Sequence, residues 1–301
     1  MFDIFFAYLF LAGGIVCNKY ILTSISAEFF VALRMLISGF LLMAYHWHQT
    51  EKLMYARIKQ DRYTLLLIAA CTTFIPSLLK AWSLKHMPAS KQSLLGSVDP
   101  FITAFLVYCF FNEKLTMHKM LGMAVGFLGA LLVLFSRTSS EQGYEFLGSL
   151  SYPEIAILTA VIMSRYGWIL VQILLRNKHY TPIQINALVQ VIAGFFSLML
   201  AGYTRQMHVY NIASYPHFLG AFAFTVLGGN IIGYTLYAYS LKHHSATLIS
   251  LAGFLIPLLV ALFAYIFLGE QVTPTLVLGG CVIFLGLLIF YTGQKKSYKN
   301  S

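Results

Sequence analysis

Ser83-Leu84-Lys85-His86 is followed 157 residues later by Ser240-Leu241-Lys242-His243, and the register between the two copies then holds without a gap. Ala89 falls on Ala246, Gly96 on Gly253, Pro100 on Pro257, Glu113 on Glu270, Thr116 on Thr273 and Gly129 on Gly286. Of the 51 positions from Ser83 to Val133, 21 are identical to their partners, more than shared hydrophobicity alone produces. In a chain this apolar, such a repeat predicts two homologous membrane halves facing each other across a central cavity.

Composition sets the solvent. The 301 residues are 59% hydrophobic and 10% charged, where soluble domains carry about 25% charged residues. No stretch between apolar runs is long enough for a soluble domain. The net charge of +10 is spread over short loops, where it reports membrane orientation and not a nucleic-acid surface. Cys17, Cys71, Cys109 and Cys281 lie inside apolar runs without CxxC spacing and read as small packing residues. His46-x-His48 and His243-His244 lack the spacing of a helical metal pair. Neither a metal nor a cofactor is expected. The first apolar segment has no basic leader and reads as an uncleaved spanning helix.

A helix needs about 20 apolar residues to cross the hydrocarbon core. Ten segments qualify, at approximately 3–22, 27–46, 62–83, 89–111, 118–136, 153–175, 182–203, 217–239, 246–268 and 275–293. With the N-terminus cytoplasmic, the inside segments hold Lys52, Arg57, Lys59, Arg62, Lys114, Lys119, Arg176, Lys178, Lys242, Lys295, Lys296 and Lys299, and the outside segments only Lys85, Arg137 and Arg205. That asymmetry outweighs the opposed local signal of Asp3 and Lys19, and it places both termini inside. Five spans per half invert the second half. The expected fold class is therefore all-α integral membrane: ten transmembrane helices as two inverted five-helix repeats, 1–137 and 148–293, with a basic cytoplasmic tail at 294–301.

On these residues the chain resembles the drug/metabolite transporter superfamily, specifically its EamA-type ten-helix carriers. The resemblance rests on the duplicated block 81–135 and 238–292 and on the prolines of the fourth and ninth spans. It rests also on Asn112-Glu113-Lys114-Leu115-Thr116 with Gly269-Glu270-Gln271-Val272-Thr273, on the glycines that follow, and on Arg34 in the second span. It implies a substrate carrier of the inner or plasma membrane. Members of this kind include amino-acid and drug exporters and uptake systems for metabolites such as S-adenosylmethionine.

The repeat also separates scaffold from site. Features present in both halves read as scaffold: Pro100 with Pro257, Glu113 with Glu270 closing a helix in each half, and Pro76 aligned with Gly233 as a weak point at one depth, a hinge or a packing kink. Unpaired polar residues need another reason, because a charge at the membrane centre costs at least about 2.5–3.5 kcal/mol. Lys80 aligns with Tyr237, Lys91 with Leu248 and Asp99 with Ile256, while Arg34 falls near Gln190. Asp99 follows Lys91 by eight residues, two turns along one helix face. Asp99 is expected either to bind a cationic group or a proton, or to pair internally with Lys80, Lys91 or Arg34. Lys19 and Lys91 are near enough to helix ends to snorkel. Arg165 pairs with a carbonyl, with Asp99 or with substrate. Five basic groups against one intramembrane acid favour a solute bearing a carboxylate or phosphate. The candidate binding set is Asp99, Lys80, Arg34, Lys91 and Arg165, with Trp82, Trp168 and Tyr237 for stacking on a ring or cation.

The function these features favour is secondary active transport of a small polar metabolite: amino-acid-like, nucleotide-like or S-adenosylmethionine-like. The partners are the solute, a proton or counter-substrate and the bilayer; no nucleic acid is involved, and the chain works as a monomer or homodimer. The alternatives are a membrane-embedded enzyme and a passive channel or lipid-handling protein. For the enzyme, no HExxH, paired aspartates or His-rich boxes exist; for the channel, no repeated filter sequence.

Overall fold

The computed structural model describes residues 2–49, 58–111, 116–135, 145–147, 150–177, 180–210, 212–244, 249, 252–253, 255–271 and 273–299. Within them the chain is almost wholly helical: α1 (Phe2–Ile21), α2 (Ala27–Gln49), α3 (Arg62–His86), α4 (Ala89–Gly96), α5 (Asp99–Phe111), α6 (Met117–Phe135), α7 (Tyr152–Asn177), α8 (Pro182–Tyr203), α9 (Tyr215–His243), α10 (Leu255–Leu268) and α11 (Pro274–Lys299). A short antiparallel hairpin, Glu145–Leu147 with Leu150–Ser151, precedes α7. Seven helices among the described residues, α1, α2, α3, α7, α8, α9 and α11, are long and apolar enough to cross a membrane. Phe40, Leu128, Leu262, Phe267 and Leu285 stand exposed on the outer surface. Water would not tolerate so large an apolar exterior, and lipid does.

One expected span is broken. The 89–111 segment forms two helices, α4 and α5, separated by a turn at Ser97–Val98. Pro100 has no N–H to donate and its ring crowds the carbonyl four residues back, so a continuous helix fails there. The Ser97 hydroxyl and amide both bond Leu94 O, at 2.6 and 3.0 Å. Gly253, the repeat partner of Gly96, also lies in a turn just ahead of α10.

α3 and α9 each contain a π-helical stretch, Ala69–Phe74 and Phe224–Gly233. Pro76 lies two residues beyond the first, after Ile75, and Gly233 is the last residue of the second. Each stretch meets a glycine on a neighbouring helix. A Cβ on Gly167 of α7 would lie 2.8 Å from Thr72 N, and one on Gly14 of α1 would lie 3.6 Å from Gly229 Cα.

Packing partners exchange between the halves: α1 lies against α9 and α10, and α7 against α3 and the α4–α5 pair. α2 packs on α8, and α6 on α11. A Cβ on Gly122 would meet Gly286 O at 2.6 Å, and one on Gly129 would meet Gly279 O at 2.9 Å, so α6 and α11 run in opposite directions where they touch. Lipid gives helices no hydrophobic reason to associate, and small residues allow the close approach that replaces it.

The helix ends are capped in the same paired way. Lys19 Nζ donates to Leu84 O and Met87 O, at 2.6 and 2.8 Å. Gln172 Nε2 donates to Leu241 O and His244 O, at 3.2 and 3.0 Å, which are the equivalent carbonyls 157 residues on. α10 ends at Gly269, whose φ of +67° suits a residue without a Cβ. The next residue, Glu270, caps α4 by accepting bonds from Ala89 N, Ser90 N and the Ser90 hydroxyl at 2.8–3.1 Å. Glu113 lies outside the described residues.

Gly286→Ala places a methyl within 2.5 Å of Gly126 N and 2.7 Å of Gly122 O. It is expected to cost about 1–3 kcal/mol through overpacking, read as a lower thermal midpoint in detergent. A Cβ at Gly220 meets nothing within 4 Å, so Gly220→Ala should leave the midpoint unchanged or raise it.

Candidate functional site

The helices enclose a cavity of about 180 Å³, with walls from α1 to α5 and from α7, α9 and α10. One water needs only ~10–15 Å³ on this measure. The wall residues recur at helical spacing: Ser77, Lys80, Ala81 and Leu84 on α3, Ile157, Val161, Ser164, Arg165 and Trp168 on α7.

Asp99 opens α5, and a carboxylate in a first helical turn is favoured by the helix dipole. Its Oδ1 pairs with Arg165 Nε at 2.9 Å and accepts from the Thr103 hydroxyl at 3.2 Å. Oδ2 makes no hydrogen bond among the described residues. The two side chains are 20% and 11% exposed, so the pair faces the cavity and is not sealed off from it. Arg165 Nη1 reaches onward to the Tyr237 hydroxyl at 2.6 Å.

Tyr237 anchors an aromatic wall. Trp168 meets it edge-on at 4.6 Å between centroids, Tyr234 lies 6.1 Å from Trp168, and Tyr8 lies 6.1 Å from Tyr237. The Tyr8 hydroxyl donates to Ile249 O, which holds that ring in place. Flat rings and one carboxylate on a wet wall suit a planar or cationic group.

Arg34 and Lys80 also stand on the wall. Arg34 is 6% exposed, its guanidinium lies 5.2 Å from the Phe30 ring centroid, and its Nε has no hydrogen-bond partner among the described residues. Neither cation has an acidic partner among the described residues. Behind Arg34 lies a closed polar network. Asn230 donates to Arg34 O and the Ser38 hydroxyl, at 3.3 and 3.2 Å. Asn230 O, in the π-helical turn, accepts from Asn186 and Gln190, both at 3.1 Å. Ser38 donates to Gln190 Oε1. These groups satisfy one another and hold α2, α8 and α9 together.

Two candidates stand elsewhere. The turn at Ser97–Val98 separates Lys91 from Asp99, so they share no helix face, and Lys91 pairs instead with Glu154 of α7 at 2.7 Å. Those side chains are 0% and 1% exposed, a pair closed to the cavity. Glu154 is thus a second intramembrane acid, where the sequence reading expects one. Its signal was Ser151-x-x-Glu154, a helix-start capping pattern, and Ser151 N indeed donates to Glu154 Oε2 at 2.6 Å. Trp82 stacks near His86, 4.8 Å between centroids, away from the cavity wall. Tyr8 carries no distinguishing sequence signal in a chain that is 16% aromatic.

Long apolar helices around a charged, aromatic-lined cavity between packed halves are the build expected of a small-solute carrier. The chain belongs to the EamA-like transporter family, which it matches over residues 1–135 and 152–292. It is 26% identical to an S-adenosylmethionine/S-adenosylhomocysteine transporter of Chlamydia muridarum over 97% of this chain and 91% of that one. A transporter of the same description from Chlamydia trachomatis serovar L2 is 28% identical, over 75% and 69%. A probable terminal-alkyne amino-acid exporter of Streptantibioticus cattleyicolor is 24% identical, over 69% and 66%. A crystal structure of a protein 14% identical in sequence superposes with a TM-score of 0.68 over 97% of this chain and 96% of that one, which speaks to the fold alone. The protein is thus a metabolite transporter.

Lys91→Met leaves Glu154 buried without its cation, so a loss of about 3–5 kcal/mol is expected, seen as a large fall in thermal midpoint in detergent. The same variant at a permissive temperature should leave the KM for transported solute unchanged. Asp99→Asn should cost less in stability, because its pair is partly wet, and should act mainly on transport.

Proposed function

We propose that the protein is a secondary active carrier of S-adenosylmethionine-type solutes, an adenosyl group joined to an amino acid, working by alternating access across the inner membrane. The observation that carries this reading is the cavity wall itself, where the Tyr8–Tyr237–Trp168–Tyr234 cluster adjoins the Asp99–Arg165 pair. An adenine ring stacks on such a wall. Asp99 Oδ2 is free to receive an ammonium group. The two chlamydial relatives, named for this solute class, point the same way.

Ten spanning segments in two inverted repeats, 1–137 and 148–293, with both termini cytoplasmic, remain the topology we propose. Support comes from the reciprocal glycine contacts of α6 and α11 and from the paired caps made by Lys19 and Gln172. On this topology the π-helical stretches ending near Pro76 and Gly233 serve as hinges, while Pro100 and Pro257 fix the breaks beside the cavity. Binding falls to Asp99, Arg165, Lys80, Arg34, Trp168 and Tyr237. Nothing in the sequence resembles an ATP-driven motor, so a proton or a counter-substrate supplies the work.

Purified protein in liposomes preloaded with unlabelled S-adenosylhomocysteine should accumulate labelled S-adenosylmethionine faster than empty liposomes, with saturation. Uptake that rises linearly with concentration would favour a passive pore. Trp168→Ala should raise the KM in line with the loss of about 1–3 kcal/mol that removing one stacked aromatic costs.

A further inference from the structure

Apart from Arg62 and Lys119 at the very ends of their spans, five basic residues lie within the apolar spans: Lys19, Arg34, Lys80, Lys91 and Arg165. Three of them are accounted for by the fold. Lys19 bonds the Leu84 and Met87 carbonyls, Lys91 pairs with Glu154, and Arg165 pairs with Asp99 and the Tyr237 hydroxyl. The remaining two, Arg34 and Lys80, both face the cavity. We infer that Arg34 and Lys80 form the anion-binding pole of this cavity and take the carboxylate of the transported solute, an assignment that rests on the carrier reading above.

The argument begins with charge. The ionisable side chains on the wall, among the described residues, include the cations Arg34, Lys80 and Arg165 against the one acid Asp99, so two cations have no acidic counterpart among the described lining residues. A cation in a membrane interior is tolerated when it pairs or meets water. A solute carboxylate supplies the pair each time the cavity is loaded. The repeat removes a structural excuse, because Lys80 aligns with Tyr237 and Arg34 falls near Gln190, so the fold itself stands without these charges.

Position gives the second step. Lys80, Arg34, Asp99 and Arg165 all line the one cavity. Tyr234 and Trp168 line that same cavity. The Arg34 Nε is buried and has no hydrogen-bond partner among the described residues, so nothing there neutralises the guanidinium. A carboxylate held by Arg34 and Lys80 leaves the neighbouring ammonium of an amino acid on the Asp99 side, and the rest of the solute against Trp168 and Tyr234. The same excess charge disfavours a further cation. S-adenosylhomocysteine, a thioether whose charges cancel, should therefore bind more tightly than the sulfonium S-adenosylmethionine.

The test is equilibrium binding to purified protein in detergent, comparing S-adenosylhomocysteine with its decarboxylated analogue. Wild type should prefer the carboxylated form by roughly ten- to hundredfold, the strength of charge-assisted hydrogen bonds. In Arg34→Gln and Lys80→Gln that ratio should collapse toward one. Because the ratio is taken within each protein, partial misfolding cancels. Lys19→Gln, which copies the cap made by Gln172, should retain the wild-type ratio. An undiminished preference in both variants, or no preference in wild type, overturns the anion pole and leaves the carrier reading intact. If wild type binds neither adenosyl compound, the solute reading fails, and thermal stabilisation by L-methionine, its decarboxylated amine or inorganic phosphate decides the pole. Stabilisation by methionine alone that is lost in Arg34→Gln upholds it. Stabilisation by phosphate alone, or by none of the three, overturns the carboxylate assignment.

Discussion

Lipid offers no hydrogen bonds, so every backbone group within the hydrocarbon must find its partner inside the protein. That constraint explains where this chain departs from regular helix. The breaks at Ser97–Val98 and Gly253 occur on the cavity wall, where water or solute can reach freed carbonyls. The π-helical turn of α9 leaves Asn230 O available, and two side-chain amides from α8 answer it. At the helix ends Lys19, Gln172 and Glu270 each reach across to a neighbouring helix. A lysine and a glutamine perform one capping role at equivalent places. Beside the glutamine, Arg176 Nη2 also donates to His244 O at 3.0 Å.

The halves share a skeleton and divide the chemistry. Lys80 and Ser77 on α3 correspond to Tyr237 and Tyr234 on α9, and Asp99 corresponds to Ile256. The first half thus contributes most of the wall's charge and the second most of its aromatic surface. Arg165 is the exception, and its chief partner is the first half's Asp99. A duplicated scaffold alone would give a cavity with two similar ends. The substitutions make it polar along one direction, which a solute with a charged end and a flat end can use.

The repeat was legible because its markers resist substitution. Glycine at Gly122, Gly129, Gly279 and Gly286 admits backbone contact, and a larger residue at any of them would strike the facing helix. Asp99, Lys80, Arg34 and Arg165 stood out because charge is rare in lipid, and all four line the cavity. Partners were harder to read than positions. Lys91 meets Glu154 across 63 residues of sequence, and no periodicity reports that contact. Its apparent alignment with Asp99 assumed a straight helix, and the proline that breaks it sits one residue beyond the pair. Trp82 was one aromatic among many, with nothing in its spacing to show that it turns toward His86.

The two ion pairs differ in a way that bears on movement. Lys91–Glu154 joins α4 to α7 and is sealed, so opening it would expose both charges to an apolar interior. Asp99–Arg165 joins α5 to the same helix but borders the cavity, where a solute's own charge can replace either partner. On one side of the break at Ser97–Val98 the attachment to α7 is fixed, and on the other it is exchangeable. On the proposed binding role of Asp99 and Arg165, a loaded cavity would loosen α5 from α7 while the sealed Lys91–Glu154 pair keeps α4 in place. The turn before Pro100 lets the two helices respond separately.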